Sequence, residues 1–291
     1  MARVIVVHGV GQQLLGRRTL QHPVAAALLD GVELTEPSLA LSEPDVGVAF
    51  YGHIFRKAGT KGTEAPRSAA DIADAFEAEL VEQWWRAAVE AEPDRVAEAA
   101  RAGGKAPTPV TVQHMINALL RSRCLSTATA ERFLLGVLRQ VRRYFTEEDV
   151  RAAAVTAVAD RVSADTRVLV GHSLGSVVAY EALCAHPHWP VRTLVTLGSP
   201  LGMPRLIFNR LLPTPTAGRG IWPPGVAAWS NINDRHDVVA SVKQLGPLFD
   251  SPGRAVTDLT VDNGWKVHDL LHHLTAQQVG RAIADALKTT P

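Results

Sequence analysis

The sequence predicts an α/β protein built on an open, mostly parallel sheet, and three observations lead there. Short β-branched runs recur at the start of the chain and through its second half. Stretches with helical spacing fall between them. The runs themselves are apolar throughout rather than alternating, the mark of strands covered on both faces. Strand, helix, strand repeated in this way builds a sheet with helices on either side.

The strand candidates are Arg3 to Val7, Gly47 to Tyr51, Arg167 to Val170, Arg192 to Leu197, Ala227 to Ile232 and Ala255 to Val261. Helical patterns cover about 18–30, 150–163, 174–186 and 269–288. Between the second and third strands lies a long insertion, 54–150, within one domain spanning 1–291. It opens with KAGTKGTEAPRS (57–68), a loop by its Gly, Lys, Thr and Pro content. Three helical patterns follow, at 71–92, 110–123 and 128–145, with the Gly- and Pro-bearing separator RAGGKAPTPV (101–110) between the first two. In the last, Phe133, Leu134, Val137, Leu138, Val141, Tyr144 and Phe145 form an amphipathic stripe. Such an insertion is either a cap over a site or extra packing on the core. The proline-rich stretch from Gly202 to Gly225 reads as a long irregular loop, a kind that tends to border functional sites.

Composition narrows the function classes. The chain has 291 residues, 46% apolar and 20% charged, and a formal net charge of +1. That balance gives no electrostatic reason to expect nucleic acid or an anionic membrane as partner. The Arg121/Arg123 and Arg139/Arg142/Arg143 groups lie on helical patterns and read as solvated faces. Two cysteines, Cys124 and Cys184, make neither a disulfide framework nor a metal site and read as buried free thiols. No run approaches the roughly 18 apolar residues of a membrane span, and the N-terminal apolar stretch is too short for a signal peptide. A cytoplasmic protein is the expectation; nothing in the sequence fixes an oligomeric state.

The chemistry centres on Gly171-His172-Ser173-Leu174-Gly175, a G-x-S-x-G match with a strand running in and a helix (Val177, Val178, Leu183) running out. A nucleophile on so sharp a turn needs small neighbours, because side chains there would clash with the strand or the helix. An acyl-transfer site also needs oxyanion donors. One is the N–H after the nucleophile, Leu174; the other comes from the loop after an earlier strand. The first strand ends in His8-Gly9-Val10-Gly11-Gln12, where Val10 is the favoured donor with Gly11 next to it, and His8 and Gln12 brace the loop. An acid and then a histidine follow the serine on loops after late strands. Asp234 and Asp237 both qualify as the acid. His268 precedes the last helix and qualifies as the base.

At these residues the chain resembles the α/β hydrolases. Within them it is similar to bacterial lipase- and esterase-like proteins, more distantly to lipases and GPI-inositol deacylases. The stretches "VVHGVGQQ", "GHSLGSVVAYEAL", "TLGSPLG", "WSNINDRHDVVA" and "HDLLHHLTAQQVGRAIADAL" carry the resemblance, over about 1–53 and 164–291. It implies an α/β-hydrolase fold of about six strands with 54–150 as a helical cap or lid. It implies a triad of Ser173, Asp237 and His268, since the acid of such families sits in an Asp-Pro-Val-like stretch that maps onto Asp237-Val238-Val239; Asp234 is the alternative. The chain departs from the family in starting at the first parallel strand, without a preceding hairpin. His273 stands where an aromatic is common, and it is kept as a minor alternative base.

The expected activity is hydrolysis of a carboxylic ester with a lipophilic acyl group, without metal or organic cofactor. A thioesterase or acyltransferase on the same triad is one alternative, and a hydrolase-fold binding protein without turnover is another. Ser199 reads as a turn serine and Glu181 as a structural ion-pair partner. His53, His114, His186, His188 and His236 show no metal-ligand spacing, and no phosphate-binding glycine loop opens a helix.

Overall fold

A computed structural model describes residues 2–56, 72, 74–96, 109–124 and 130–288. In chain order the elements are β1 (Val4–Val7), α1 (Arg17–Glu33), β2 (Val46–Ala49), α2 (Ala75–Ala91), α3 (Pro93–Val96), α4 (Pro109–Leu119) and α5 (Ala130–Thr146). There follow α6 (Glu148–Ala159), β3 (Val168–His172), α7 (Leu174–Ala185), β4 (Thr193–Leu197), β5 (Ala228–Asp234), α8 (Gly246–Phe249), β6 (Val256–Val261), α9 (Leu270–Leu274) and α10 (Gln277–Lys288). The loop expected at 57–68 and most of the separator at 101–110 lie outside the described residues.

All six strands pair in parallel, in the order β2-β1-β3-β4-β5-β6. Their apolar sequences follow from burial on both sides. Along β1, Ile5 and Val7 enter one core and Val4 and Val6 the other; along β3, Leu169 points one way and Val168 and Val170 the other. That is the period of two of a pleated strand. One core is completed by α6 and α7, through Ala154, Val158, Val177 and Val178. The opposite core is completed by α1 and α10, through Leu20, Val24, Leu28, Val279, Ile283 and Leu287.

The insertion packs as part of the first core. Leu80, Val81 and Trp84 of α2, Ile116 and Leu119 of α4, and Leu134, Val137, Leu138, Val141, Tyr144 and Phe145 of α5 are buried in the same apolar cluster as Ile5 and Leu169. The arginines of α5 are only partly solvated, because Arg142 Nε donates to the buried Glu77 carboxylate at 2.9 Å. The single helix expected over 269–288 is two, α9 and α10, both packed on α1. The proline-rich stretch holds one 3-10 turn, Phe208–Arg210, and buries Leu206, Ile207, Phe208 and Leu211 of its apolar run. Among the described residues no helix is long and apolar enough to cross a membrane.

This topology fixes where a site can form. The chain leaves β1 toward β2 on one side and returns to β3 on the other, so the loops after β1 and β3 part in opposite directions. A crevice opens at such a switch point, beyond the carboxyl ends of the strands.

Candidate functional site

Ser173 stands at that switch point, between β3 and the first turn of α7. Its backbone has φ 53° and ψ −131°, a conformation that costs a non-glycine residue about 1–3 kcal/mol. The surroundings hold it there. Ser173 N–H donates to the Leu197 carbonyl of β4 at 2.9 Å. Gly175 lets α7 start directly against β1: a Cβ there would lie 2.3 Å from the carbonyl oxygens of both Val7 and His8. Gly171 has the same reason on the strand side, where a Cβ would meet Ser176 Cα at 2.5 Å. Ser176 Oγ closes the turn by donating to the Ser173 carbonyl at 2.6 Å, and it meets Ser199 Oγ at 2.7 Å. Ser199 is therefore a brace for the elbow.

The loop after β1 passes close to Ser173: a Cβ on Gly9 would lie 2.7 Å from Ser173 Cβ. His8 braces it: Nε2 accepts the Tyr51 N–H at 3.1 Å, Nδ1 donates to the Gly9 carbonyl, and the ring stacks on Tyr51 at 4.3 Å. Burial, joined by the nearby His53 charge and only partly offset by the Gly9 bond, lowers the His8 pKa to about 4, so its ring is neutral. Gly11 N–H is taken by Gln140 Oε1 of α5 at 3.2 Å. The N–H groups of Val10 and Leu174 have no hydrogen-bond partner among the described residues, and both residues line the same cavity as Ser173.

Asp234 closes β5 and Asp237 lies on the loop after it, and the two acid candidates face different ways. Asp234 Oδ1 accepts the His236 N–H at 2.8 Å and Oδ2 the Asn263 N–H at 2.6 Å, so its carboxylate ties two loops together. Asp237 points to the loop after β6, where Oδ2 meets His268 Nδ1 at 2.6 Å. Its other oxygen accepts the Val239 N–H at 2.9 Å and faces the Cys124 thiol at 3.9 Å. Burial alone would raise the Asp237 pKa. The charge and hydrogen bond of His268, with the Lys243 and His273 charges, overcome it and hold the carboxyl well below its usual range. Asp237 is thus an ionised acceptor, which puts the proton of His268 on Nδ1 and leaves Nε2 as the ring's lone-pair nitrogen.

His172, read in the sequence only as the variable residue before the serine, holds the His268 loop. Its ring lies 4.8 Å from that of His268, and Nε2 donates to the His268 carbonyl at 3.1 Å. Burial, then the neighbouring His268 and His273 charges, push its pKa well down, so it stays neutral. His273 is fully buried and off the cavity wall; its Nδ1 lies 3.0 Å from the Asp269 carbonyl. Glu181 is buried and engaged by Tyr144, Arg151 and the Leu212 N–H, in keeping with an ion-pair role.

Ser173, His268, Val10, Leu174 and His172 all line one cavity of about 860 Å³. Most of the rest of its wall is apolar: Leu15, Leu20 and Pro23 from α1 and the turn before it, Trp84 from α2, and Leu134, Val137 and Val141 from α5. Cys124 also reaches the wall, half-buried and free, with burial as the main cause of a raised thiol pKa. Among the described residues no three His, Cys, Asp or Glu side chains gather as a metal-binding group. His172, Gln140 and Cys124 (the last read only as a buried free thiol) were not placed at the site from the sequence, because each acts across more than 90 residues of chain separation. No protein-family model matches the chain, and no curated protein matches it.

Proposed function

We propose that this chain is a serine hydrolase of carboxylic esters with lipophilic acyl groups, using an α/β-hydrolase arrangement of Ser173, His268 and Asp237. The observation that carries it is the meeting of three loops at one cavity: a strained serine, and a histidine whose far nitrogen is held by a buried, ionised aspartate.

The chemistry follows from those groups. With Nδ1–H committed to Asp237, His268 Nε2 is free to take the Ser173 hydroxyl proton as Oγ attacks the ester carbonyl. The imidazolium so formed is stabilised by the adjacent carboxylate. Val10 and Leu174 supply the N–H groups for the tetrahedral oxyanion, since Gly11 N–H is already spent on Gln140. His268 then protonates the leaving alcohol, and a water deprotonated by the same nitrogen releases the acid from the acyl-enzyme. The apolar walls supplied by α2 and α5 favour a lipophilic acyl chain and support the reading of the insertion as a cap. An apolar, low-dielectric wall strengthens each of these polar contacts.

The test is covalent labelling by a fluorophosphonate, with Ser173→Ala as control. Labelling of the wild type and its loss in the variant is the expected result. A folded wild type that does not label would overturn the nucleophile. A chain-length series of aryl esters and matched thioesters then separates ester hydrolysis from thioester hydrolysis: esters of longer chains are expected to react best.

A further inference from the structure

The cavity that holds Ser173 is apolar along most of its wall, yet Arg95 and Arg123 line it too. They come from different elements, α3 and the turn after α4, and one buried carboxylate joins these. Glu92 accepts the Ser122 hydroxyl at 3.1 Å and the Arg123 backbone N–H at 3.2 Å from each of its oxygens. It meets Arg95 Nε only at 3.8 Å. Glu92 therefore spends its lone pairs on a hydroxyl and a main-chain donor, and one carboxylate stands beside two guanidinium groups. The Arg123 guanidinium has no hydrogen bond or ion pair among the described residues. Lys266, a third cation on the lining, lies 4.8 Å over the Trp265 ring, and its charge acts on the Asp269 carboxylate three residues on. Asp269, the acidic residue of the lining, is occupied by the N–H and Nδ1 of His272. Arg95 thus has one long ion pair to a carboxylate engaged elsewhere, and the Arg123 guanidinium has none among the described residues, which leaves positive charge in excess on this part of the wall.

Both arginines are solvent-exposed while lining the cavity, which puts them where it opens. Their turn also touches the reacting centre: Cys124, the residue after Arg123, faces Asp237 Oδ1 at 3.9 Å. Solvated surface arginines need no partner, but two cations bordering an apolar cavity repel each other and attract an anion brought in by a ligand.

We propose that this cavity selects esters that carry an anionic group, a carboxylate or a phosphate, in addition to a lipophilic chain. Arg95 and Arg123 are its specificity-determining residues. The inference rests on the ester-hydrolase reading of Ser173. A guanidinium fork suits either anion, since both present paired oxygens.

The test compares kcat/KM for three nitrophenyl esters of equal chain length: one neutral, one ending in a carboxylate and one ending in a phosphate. The wild type is expected to favour an anionic ester over the neutral one by about threefold to tenfold, with the preference shrinking in high salt. Whichever anion gains more names the source. In Arg95→Gln/Arg123→Gln the anionic-to-neutral ratio is expected to fall to about one, the value for no charge preference. A wild type that prefers the neutral ester, or a ratio that the double variant leaves in place, would overturn the proposal. Binding of dodecanoate and dodecanol to Ser173→Ala protein reads the same wall without turnover. Tighter carboxylate binding that depends on the two arginines supports the proposal, and equal binding overturns it. Failure of fluorophosphonate labelling with carboxylate selectivity intact would remove the hydrolase reading alone.

Discussion

His268 turns Nδ1 onto Asp237 Oδ2 at 2.6 Å, while Asp234, three residues earlier at the end of β5, gives both oxygens to main-chain N–H groups. The two aspartates share a strand end and differ entirely in what they hold. Asp237→Asn is expected to lower kcat by about three to four orders of magnitude. An amide nitrogen facing Nδ1 would drive the His268 proton to Nε2, the wrong tautomer for a base. Asp234→Asn is expected to cost about 1–2 kcal/mol of stability, with kcat of the folded protein within a few-fold of wild type. Steady-state ester hydrolysis beside thermal melts separates the two; the reverse pattern would make Asp234 the acid.

Gly198 guards the same pair. Its φ is +51°, and a Cβ there would lie 2.7 Å from Asp237 Oδ2 and 2.9 Å from His268 Nδ1. Gly198→Ala is expected to lose at least about tenfold in kcat while costing about 1–3 kcal/mol in stability, the ordinary penalty for a side chain in left-handed backbone. Activity unchanged in the folded variant would show that the contact tolerates displacement.

Acid is expected to destabilise the fold well before the carboxylates protonate. His8, His172 and His273 are buried with lowered pKa values, chiefly through desolvation. Each binds a proton more readily in the unfolded chain, so stability falls as pH drops below about 6.5 and continues to fall toward the folded-state values. For His8, lowered from 6.5 to about 4, the full effect is about 3 kcal/mol. Asp237 acts in a lower window: its depressed pKa adds stability above about pH 4 that is lost on further acidification. Thermal melts from pH 7.5 to 4.5 check the first window, and a flat melting temperature across it would contradict the buried neutral histidines.

The Glu181 network is expected to matter for stability rather than chemistry. Its carboxylate accepts from Tyr144 Oη at 2.6 Å, Arg151 Nε at 2.8 Å and Leu212 N–H at 3.0 Å, joining α5, α6, α7 and the proline-rich loop. Glu181→Leu leaves the Arg151 charge without its partner and is expected to cost about 3–5 kcal/mol. Adding Arg151→Met is expected to recover part of that loss. Denaturant melts of the single and double variants read the difference. No recovery would mean that the hydrogen bonds to Tyr144 and Leu212, and not the ion pair, carry the network.

How much of this was legible in the residues depends on the range over which each feature acts. The six strands, the elbow at Ser173 and the order of Ser, Asp and His are local patterns: a run of Val and Leu, a pair of glycines, a loop before a helix. Burial on both faces writes itself into consecutive residues, so the parallel sheet was readable almost to its ends. The pattern of the residues left Asp234 and Asp237 both open and the resemblance alone favoured Asp237; their different partners on the loop after β6 belong to the fold. Gln140, Cys124 and His172 were invisible as site residues for the same reason. Each meets its contact through the fold, and nothing in its neighbours along the chain marks it. The insertion's double role, as core packing and as cavity wall, was likewise settled only in three dimensions. Its helical period shows an apolar face but not what that face covers. Side-chain pattern records how much water a residue avoids, and tertiary structure decides which distant groups take water's place.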